Sequence, residues 1–430
     1  MHYFSTNGRS SAATFEQAVL AGQPDDRGLY FPSQIPNFDA AALNELLKRP
    51  NAEIAFEVMR PYVGGEIADD DLELICSDAF DFSFPLKPVN DRIYALELFH
   101  GPTLAFKDVG ARFMSRCLQY LSRNNDRKTL IIVATSGDTG GAVAGGFYGV
   151  DGIEVVILFP KDKVSRVQEL QLTTFGGNIT AVEVRGNFDD CQRLAKQALA
   201  DTELKQAAFV TSANSINVAR WLPQQIYYFC ALRGWSGGPP VISVPSGNFG
   251  NLAAGILAWR SGLTVERFIA ACNANDVVPN FLASGELRPK PAVPTLSNAM
   301  DVGDPSNLVR IIELFGRDLD KLKEMVAAVS VTDGQTAETL RAVKDKYNYV
   351  ADPHGAVAFR ALENDLSNVP DGRGIFLETA HPVKFDCVAD ILGEDVPVPP
   401  AVAELGTKEK HSTEINADAG VLKEILLSLI

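Results

Sequence analysis

The 430-residue chain has little that could hold a metal. Its six cysteines are Cys76, Cys117, Cys191, Cys230, Cys272 and Cys387; no two are close in sequence and none form a CxxC pair. That spacing speaks against a cysteine cluster and a disulfide framework, so reduced, mostly buried thiols are expected. The five histidines form no HExxH pattern, and no metal is expected. No apolar run approaches the roughly 18 residues of a spanning helix, and no leader-like segment opens the chain. A cytoplasmic location with no membrane partner is the expectation. Positive charge is scarce: 39 Lys and Arg against 54 Asp and Glu give −15. A chain this acidic does not hold nucleic acid or an anionic surface by bulk attraction. Any bound anion needs a local site that works against the global field.

Hydrophobic content of 46% and aromatic content of 9% are those of an ordinary globular protein. The length exceeds one core, so two or three domains are expected. Residues 1–88 read as mostly helical, with Thr14 and Asp39 as caps and Gly22 as a stop. The Asp69–Asp71 run reads as a solvated first helical turn. "FSFPLKPVN" reads as a linker. Beyond it, short apolar runs ("IYALEL", "TLIIVAT", "EVVILFP", "NITAVEV", "PPVISVP", "RFIAACN", "RGIFLET") alternate with helical stretches. This alternation predicts a doubly wound α/β architecture with parallel strands covered on both faces. Residues 395–416 read as surface wrap.

In "ELFHGPTLAFKDVG" a single lysine, Lys107, follows an apolar run and opens a helical segment. Two glycine-rich turns, Ser136-Gly137-Asp138-Thr139-Gly140 and Ser246-Gly247-Asn248-Phe249-Gly250-Asn251, each join an apolar strand to a helix. Such turns present free N–H groups to a phosphate or carboxylate. Neither fits a dinucleotide or P-loop fingerprint, which disfavours a nucleotide. The likeness of "SGDTGG" to a serine-protease motif fails because the context is strand–turn–helix and the serine position holds Thr139. A lysine with two anion-binding turns suggests pyridoxal 5′-phosphate, whose aldehyde would form a Schiff base with Lys107. Thr379, at the end of a late strand, is placed to face the pyridine nitrogen.

"GLYFPSQIP", "ELFHGPTLAFKD", "ATSGDTGGAVA", "TSANSINVAR", "SVPSGNFGN", "LSNAMDVGDPSN" and "ETAHPVKF" together span nearly the whole chain. They closely resemble the threonine synthase family, pyridoxal-phosphate enzymes of fold type II (the tryptophan synthase β-like fold). The resemblance implies two doubly wound parallel-sheet domains plus a mostly helical N-terminal domain at 1–88. The catalytic region would run over 89–430, with a smaller α/β domain nested at about 110–235.

The resemblance also implies roles. Lys107 would form the Schiff base. Gly247, Asn248, Phe249, Gly250 and Asn251 would hold the cofactor phosphate, and Thr379 would face the pyridine nitrogen. Ser136, Gly137, Asp138 and Thr139 match the substrate turn. An acidic Asp138 cannot itself take a substrate carboxylate, so that task falls to backbone N–H groups and the Ser136 and Thr139 hydroxyls. Asn214, Ser215 and Arg220 match contacts to the substrate phosphate. Asn298 and Asp301 would border the site. The implied reaction converts O-phospho-L-homoserine and water to L-threonine and phosphate, in a monomer or weak homodimer. Rival readings are a dehydratase, a lyase releasing 2-oxobutyrate, and a catalytically silent binding module.

Overall fold

The computed structural model describes residues 1–123 and 127–430. In the N-terminal part, the Thr14 side chain accepts from Gln17 N–H while the Gln17 side chain returns to Thr14 N–H. This capping box opens helix Phe15–Ala21, and Gly22 closes it at φ +71°. Asp39 caps Ala40–Leu46 by accepting from Ala42 N–H, and Asp69–Asp71 form the first turn of Asp69–Ala79. Tyr3–Ser5 and Tyr30–Pro32 form an antiparallel pair that the helical reading does not include. Tyr3, within this pair, and Phe15 and Tyr62 are fully buried. The Tyr3 hydroxyl donates to the Tyr62 carbonyl at 2.7 Å, so its polar end is satisfied inside the core.

Two sheets follow. The larger has the order Val326–Ser330, Arg267–Cys272, Val241–Pro245, Gly374–Glu378, Ile93–Glu97, Leu86–Pro88. All its pairings are parallel except the last. The smaller has the order Thr413–Asn416, Ile179–Arg185, Ile153–Pro160, Thr129–Ala134, Phe209–Thr211, all parallel. Each of the seven apolar runs expected as strands is one.

Two expectations fail. The "linker" contains the edge strand Leu86–Pro88, an edge place where proline's missing N–H is tolerated. The "surface wrap" contains Thr413–Asn416, which extends the smaller sheet beside Ile179–Arg185. That strand buries only Ile415, too little apolar signal for a periodicity argument. The following helix, Ala419–Ser428, packs Leu422 and Leu426 into the cluster that holds Leu194 and Ala198.

The parallel strands send their following turns to common ends. The turns after Ile93–Glu97, Val241–Pro245 and Gly374–Glu378 leave one end of the larger sheet. Those after Thr129–Ala134 and Phe209–Thr211 leave one end of the smaller, joined where the Asn214 side-chain amide donates to the Ala134 carbonyl at 3.1 Å.

Candidate active site

Lys107 is the first residue of helix Lys107–Ser122. The segment before it is tightly fixed. Asp108 accepts from Thr103 N–H at 2.9 Å and from the Thr103 hydroxyl. Leu104 sits at φ +56°, uncommon for a bulky residue. Ala105 bridges to Ala380, Phe106 N–H donates to the Thr379 carbonyl at 2.8 Å, and the Tyr227 hydroxyl donates to the Phe106 carbonyl. Lys107 and Thr379 are thereby held in register. Burial pushes the Lys107 amine down to about 8; Asp138 opposes this, while the positive charges of Lys384 and Arg220 add to it.

Asp138 opens the helix after the Thr129–Ala134 strand and is buried. Its Oδ1 lies 2.8 Å from Lys384 Nζ and accepts from Gln168 Nε2 at 3.0 Å. Burial alone would raise its pKa, but Lys384 and Lys107 outweigh it and hold the carboxyl below its ordinary range. The Asp138 carboxylate is thus engaged by Lys384 and Gln168. Ser136 and Thr139, by contrast, stay partly exposed in the same turn. Gly137 takes φ +135°, and a Cβ there would lie 2.3 Å from the Gln168 amide carbon.

The turn after Val241–Pro245 departs from the simple picture of glycines approaching a ligand. Positive φ falls on Phe249, at +63°, just before helix Gly250–Arg260. A Cβ on Gly247 would lie 2.4 Å from Met300 Cα, so this glycine lets the 298–300 segment pack onto the loop. Asn248 accepts from Ser306 N–H at 2.8 Å and donates to Ser215 Oγ at 3.0 Å. Asn307 also donates to Ser215 Oγ, at 2.9 Å. With both acceptor positions occupied, the Ser215 hydroxyl proton is left to donate outward. Asn251 Oδ1 accepts from the Tyr228 hydroxyl at 2.9 Å, but its buried Nδ2 finds no acceptor among the described residues. A helix start with an unanswered buried donor fits a phosphate group.

Arg220 is 2% exposed, and its Nε and Nη1 find no acceptor among the described residues. The arginine packs against the lysine-bearing helix: a Cβ on Gly110 would lie 2.7 Å from the Arg220 carbonyl and 3.3 Å from Nε. Burial lowers the guanidinium to about 10, with Tyr227 and Asp108 acting the other way. Polar groups this deep are nearly always paired. A buried, unanswered guanidinium near Lys107 and Lys384 makes a local positive site within a chain of net charge −15.

Several contributors escape a sequence reading. Lys384 stands in the quoted "ETAHPVKF" but carries no charge signal there. Arg310, fully buried, donates to the carbonyls of Ser215 and Ile216, both at 2.7 Å, and stacks on Trp221. Within "LVRIIEL" it looks like an ordinary helix arginine. Asp301 accepts from Thr295, Asn273 and Asn275, and burial raises it to about 6; it knots its own loop. Asn298 has a buried Oδ1 without a partner among the described residues. His381 Nδ1 accepts from Val383 N–H, and His100 Nε2 lies 2.8 Å from Glu97.

Family models match along the chain: "Threonine synthase N terminus" over 2–80, "Pyridoxal-phosphate dependent enzyme" over 82–378 and "Threonine synthase, C-terminal" over 355–426. A threonine synthase from Haemophilus influenzae is 45% identical, covering 99% of this chain and 100% of the relative. One from Escherichia coli is 44% identical, covering 100% of both. The Escherichia coli threonine synthase crystal structure superposes with a TM-score of 0.94 over 100% of both chains, at 44% identity. A PLP-bound threonine synthase from Brucella melitensis gives 0.92 at 34% identity, over 100% of this chain and 99% of that one. With the fold, the lysine and the phosphate-fitting turns in agreement, this chain belongs to the threonine synthase family of pyridoxal-phosphate-dependent fold type II enzymes.

Proposed function

We propose that the conversion of O-phospho-L-homoserine and water to L-threonine and phosphate is divided among four groups of residues. Lys107 is the amine that would take the cofactor aldehyde. Gly247, Asn248, Phe249, Gly250 and Asn251 would hold the cofactor phosphate through the helix start and the Asn251 amide, and the Thr379 hydroxyl would face the pyridine nitrogen. Ser136, Gly137, Asp138 and Thr139 receive the substrate carboxylate through backbone N–H groups and the two hydroxyls. Asn214 fixes the turn that presents Ser215, and Ser215 and Arg220 donate to the substrate phosphate.

The cofactor, when bound, supplies a carbonyl carbon for the amine and a ring that takes up charge from the adjacent carbon. Lys107 removes the proton from substrate Cα, passes it to the leaving phosphate and takes one from Cβ; an amine titrating near neutral pH suits these transfers. Phosphate departs from Cγ against Arg220, water adds at Cβ, and protons return to Cγ and Cα. The loop over 298–307 packs onto the 247–251 turn through Met300 and the Ser306 N–H.

The observation that carries this reading is Arg220, a buried guanidinium with two unanswered donors beside the helix of Lys107. We further divide the chain into residues 1–88, a large cofactor-binding unit, and a smaller unit at about 110–235. The smaller unit is completed by the C-terminal strand Thr413–Asn416 and helix Ala419–Ser428. One chain supplies every proposed group, which supports a monomer or weak homodimer as the working unit. A cytoplasmic location belongs to the same proposal; no described helix is long and apolar enough to cross a membrane.

The test is to incubate the cofactor-loaded protein with O-phospho-L-homoserine and follow products by NMR. Threonine and phosphate in equal amounts are expected. Phosphate with 2-oxobutyrate would contradict control of the water step, and no reaction would contradict the assignment.

A further inference from the structure

Lys384 has no exposure, a place lysine takes only with a partner. Its ammonium lies 2.8 Å from Asp138 Oδ1 and donates to the Thr103 carbonyl at 2.9 Å. These partners stand on separate segments. Thr103 precedes Lys107 in the fixed loop, Asp138 belongs to the substrate turn, and Lys384 follows Thr379 in the short helix Pro382–Lys384. One more helix, Arg166–Thr173, braces the same atoms: Gln168 donates to Asp138 at 3.0 Å and Gln171 to the Thr103 carbonyl at 2.9 Å.

We propose that Lys384 is a positioning residue of the reaction: its ammonium fastens the substrate turn to the segments carrying Lys107 and Thr379, and holds a fixed positive charge beside the Lys107 amine. The inference deepens the reading above and rests on Lys107 being the reacting amine. It also accounts for the carboxylate in the substrate turn. Asp138 alone would set a lone buried negative charge where an anionic substrate must arrive; paired with Lys384, it is neutralised and turned inward.

The charged groups facing Lys107 are Asp138, Lys384 and Arg220. Asp108 and Tyr227 face Arg220, and His354 faces Asp138. The signs are opposite for the two members of the pair. Removing Lys384 takes away a cation that favours the neutral amine, so Lys107 holds its proton to higher pH. Neutralising Asp138 takes away an anion that favours the ammonium, so Lys107 loses its proton at lower pH. A strut that served packing alone would not produce opposite shifts.

The experiment measures, against pH, the labelling rate of Lys107 by 1-fluoro-2,4-dinitrobenzene in the full-length chain stripped of cofactor, read by mass spectrometry of the Lys107 peptide. Lys384→Met is expected to raise the half-point by about one pH unit, and Asp138→Asn to lower it by a similar amount. Shifts of the same sign, or none, would overturn the proposal. Lys384→Met leaves Asp138 buried and unpaired and can lose the fold, so the Asp138→Asn/Lys384→Met double variant is measured beside it. The double variant is expected to recover thermal stability over Lys384→Met and to return the half-point toward that of the parent. A double variant no more stable than Lys384→Met would also overturn it. Loss of the visible cofactor band in Lys107→Ala tests the underlying role of Lys107 separately.

Discussion

Phe106 N–H donates to the Thr379 carbonyl at 2.8 Å, and this single bond sets the lysine-bearing helix against the strand end that carries Thr379. The Ala105–Ala380 bridge and the His381 N–H bond to the Leu104 carbonyl at 3.0 Å extend it. The Tyr227 hydroxyl donates to the Phe106 carbonyl on the other side. Tyr227→Phe should therefore loosen the lysine's seat. We expect a loss of about 1 kcal/mol in stability and a fall of about tenfold in kcat/KM, from a small displacement of the amine. Calorimetry and steady-state kinetics on one preparation check both; full activity would show that the bond does not position Lys107.

The Lys107 amine gives a pH-dependent stability. Its folded value near 8 lies below the ordinary lysine value of about 10.4, so the fold disfavours its charge. Below pH 8 that penalty is fully present, and it is relieved as pH rises from about 8 toward 10, where the unfolded chain binds the extra proton. Lys107→Met in the cofactor-free chain should then be more stable than the parent at pH 7, by about 1–3 kcal/mol. The advantage should shrink toward pH 10. Denaturant melts at both pH values test this, and a less stable variant at pH 7 would contradict it.

Gly247→Ala should act through Met300. The new Cβ would lie 2.4 Å from Met300 Cα and 2.9 Å from its carbonyl carbon, backbone atoms that cannot rotate away. We expect a loss of about 2 kcal/mol or more together with weaker cofactor retention, because the 298–300 segment must lift from the phosphate turn. Thermal melts with and without pyridoxal phosphate check the pairing of these effects; unchanged melting in both states would refute it.

How far the sequence reveals this site depends on where each partner lies. Lys107 is conspicuous because an amine follows an apolar run at a helix start, and the buried parallel strands announce themselves as continuous apolar stretches. The Asp138–Lys384 pair has no such signature, since its members are far apart in the chain and meet only when the two sheets' turns converge. Gly247 is readable as a special position, but the close neighbour that its missing Cβ admits, Met300, is not. The positive φ of the turn falls on Phe249, a residue whose type gives no warning. Arg310 looks like a surface helix arginine until the carbonyls of Ser215 and Ile216 are seen at its guanidinium. Strand Thr413–Asn416 is hidden because one buried isoleucine is its whole apolar face.

The proposal that Arg220 is held unpaired for the substrate phosphate is tested most sharply by kcat/KM of Arg220→Gln with O-phospho-L-homoserine, alongside the cofactor absorbance. A fall of about 100-fold or more is expected, with the cofactor band intact. An unchanged kcat/KM would contradict it.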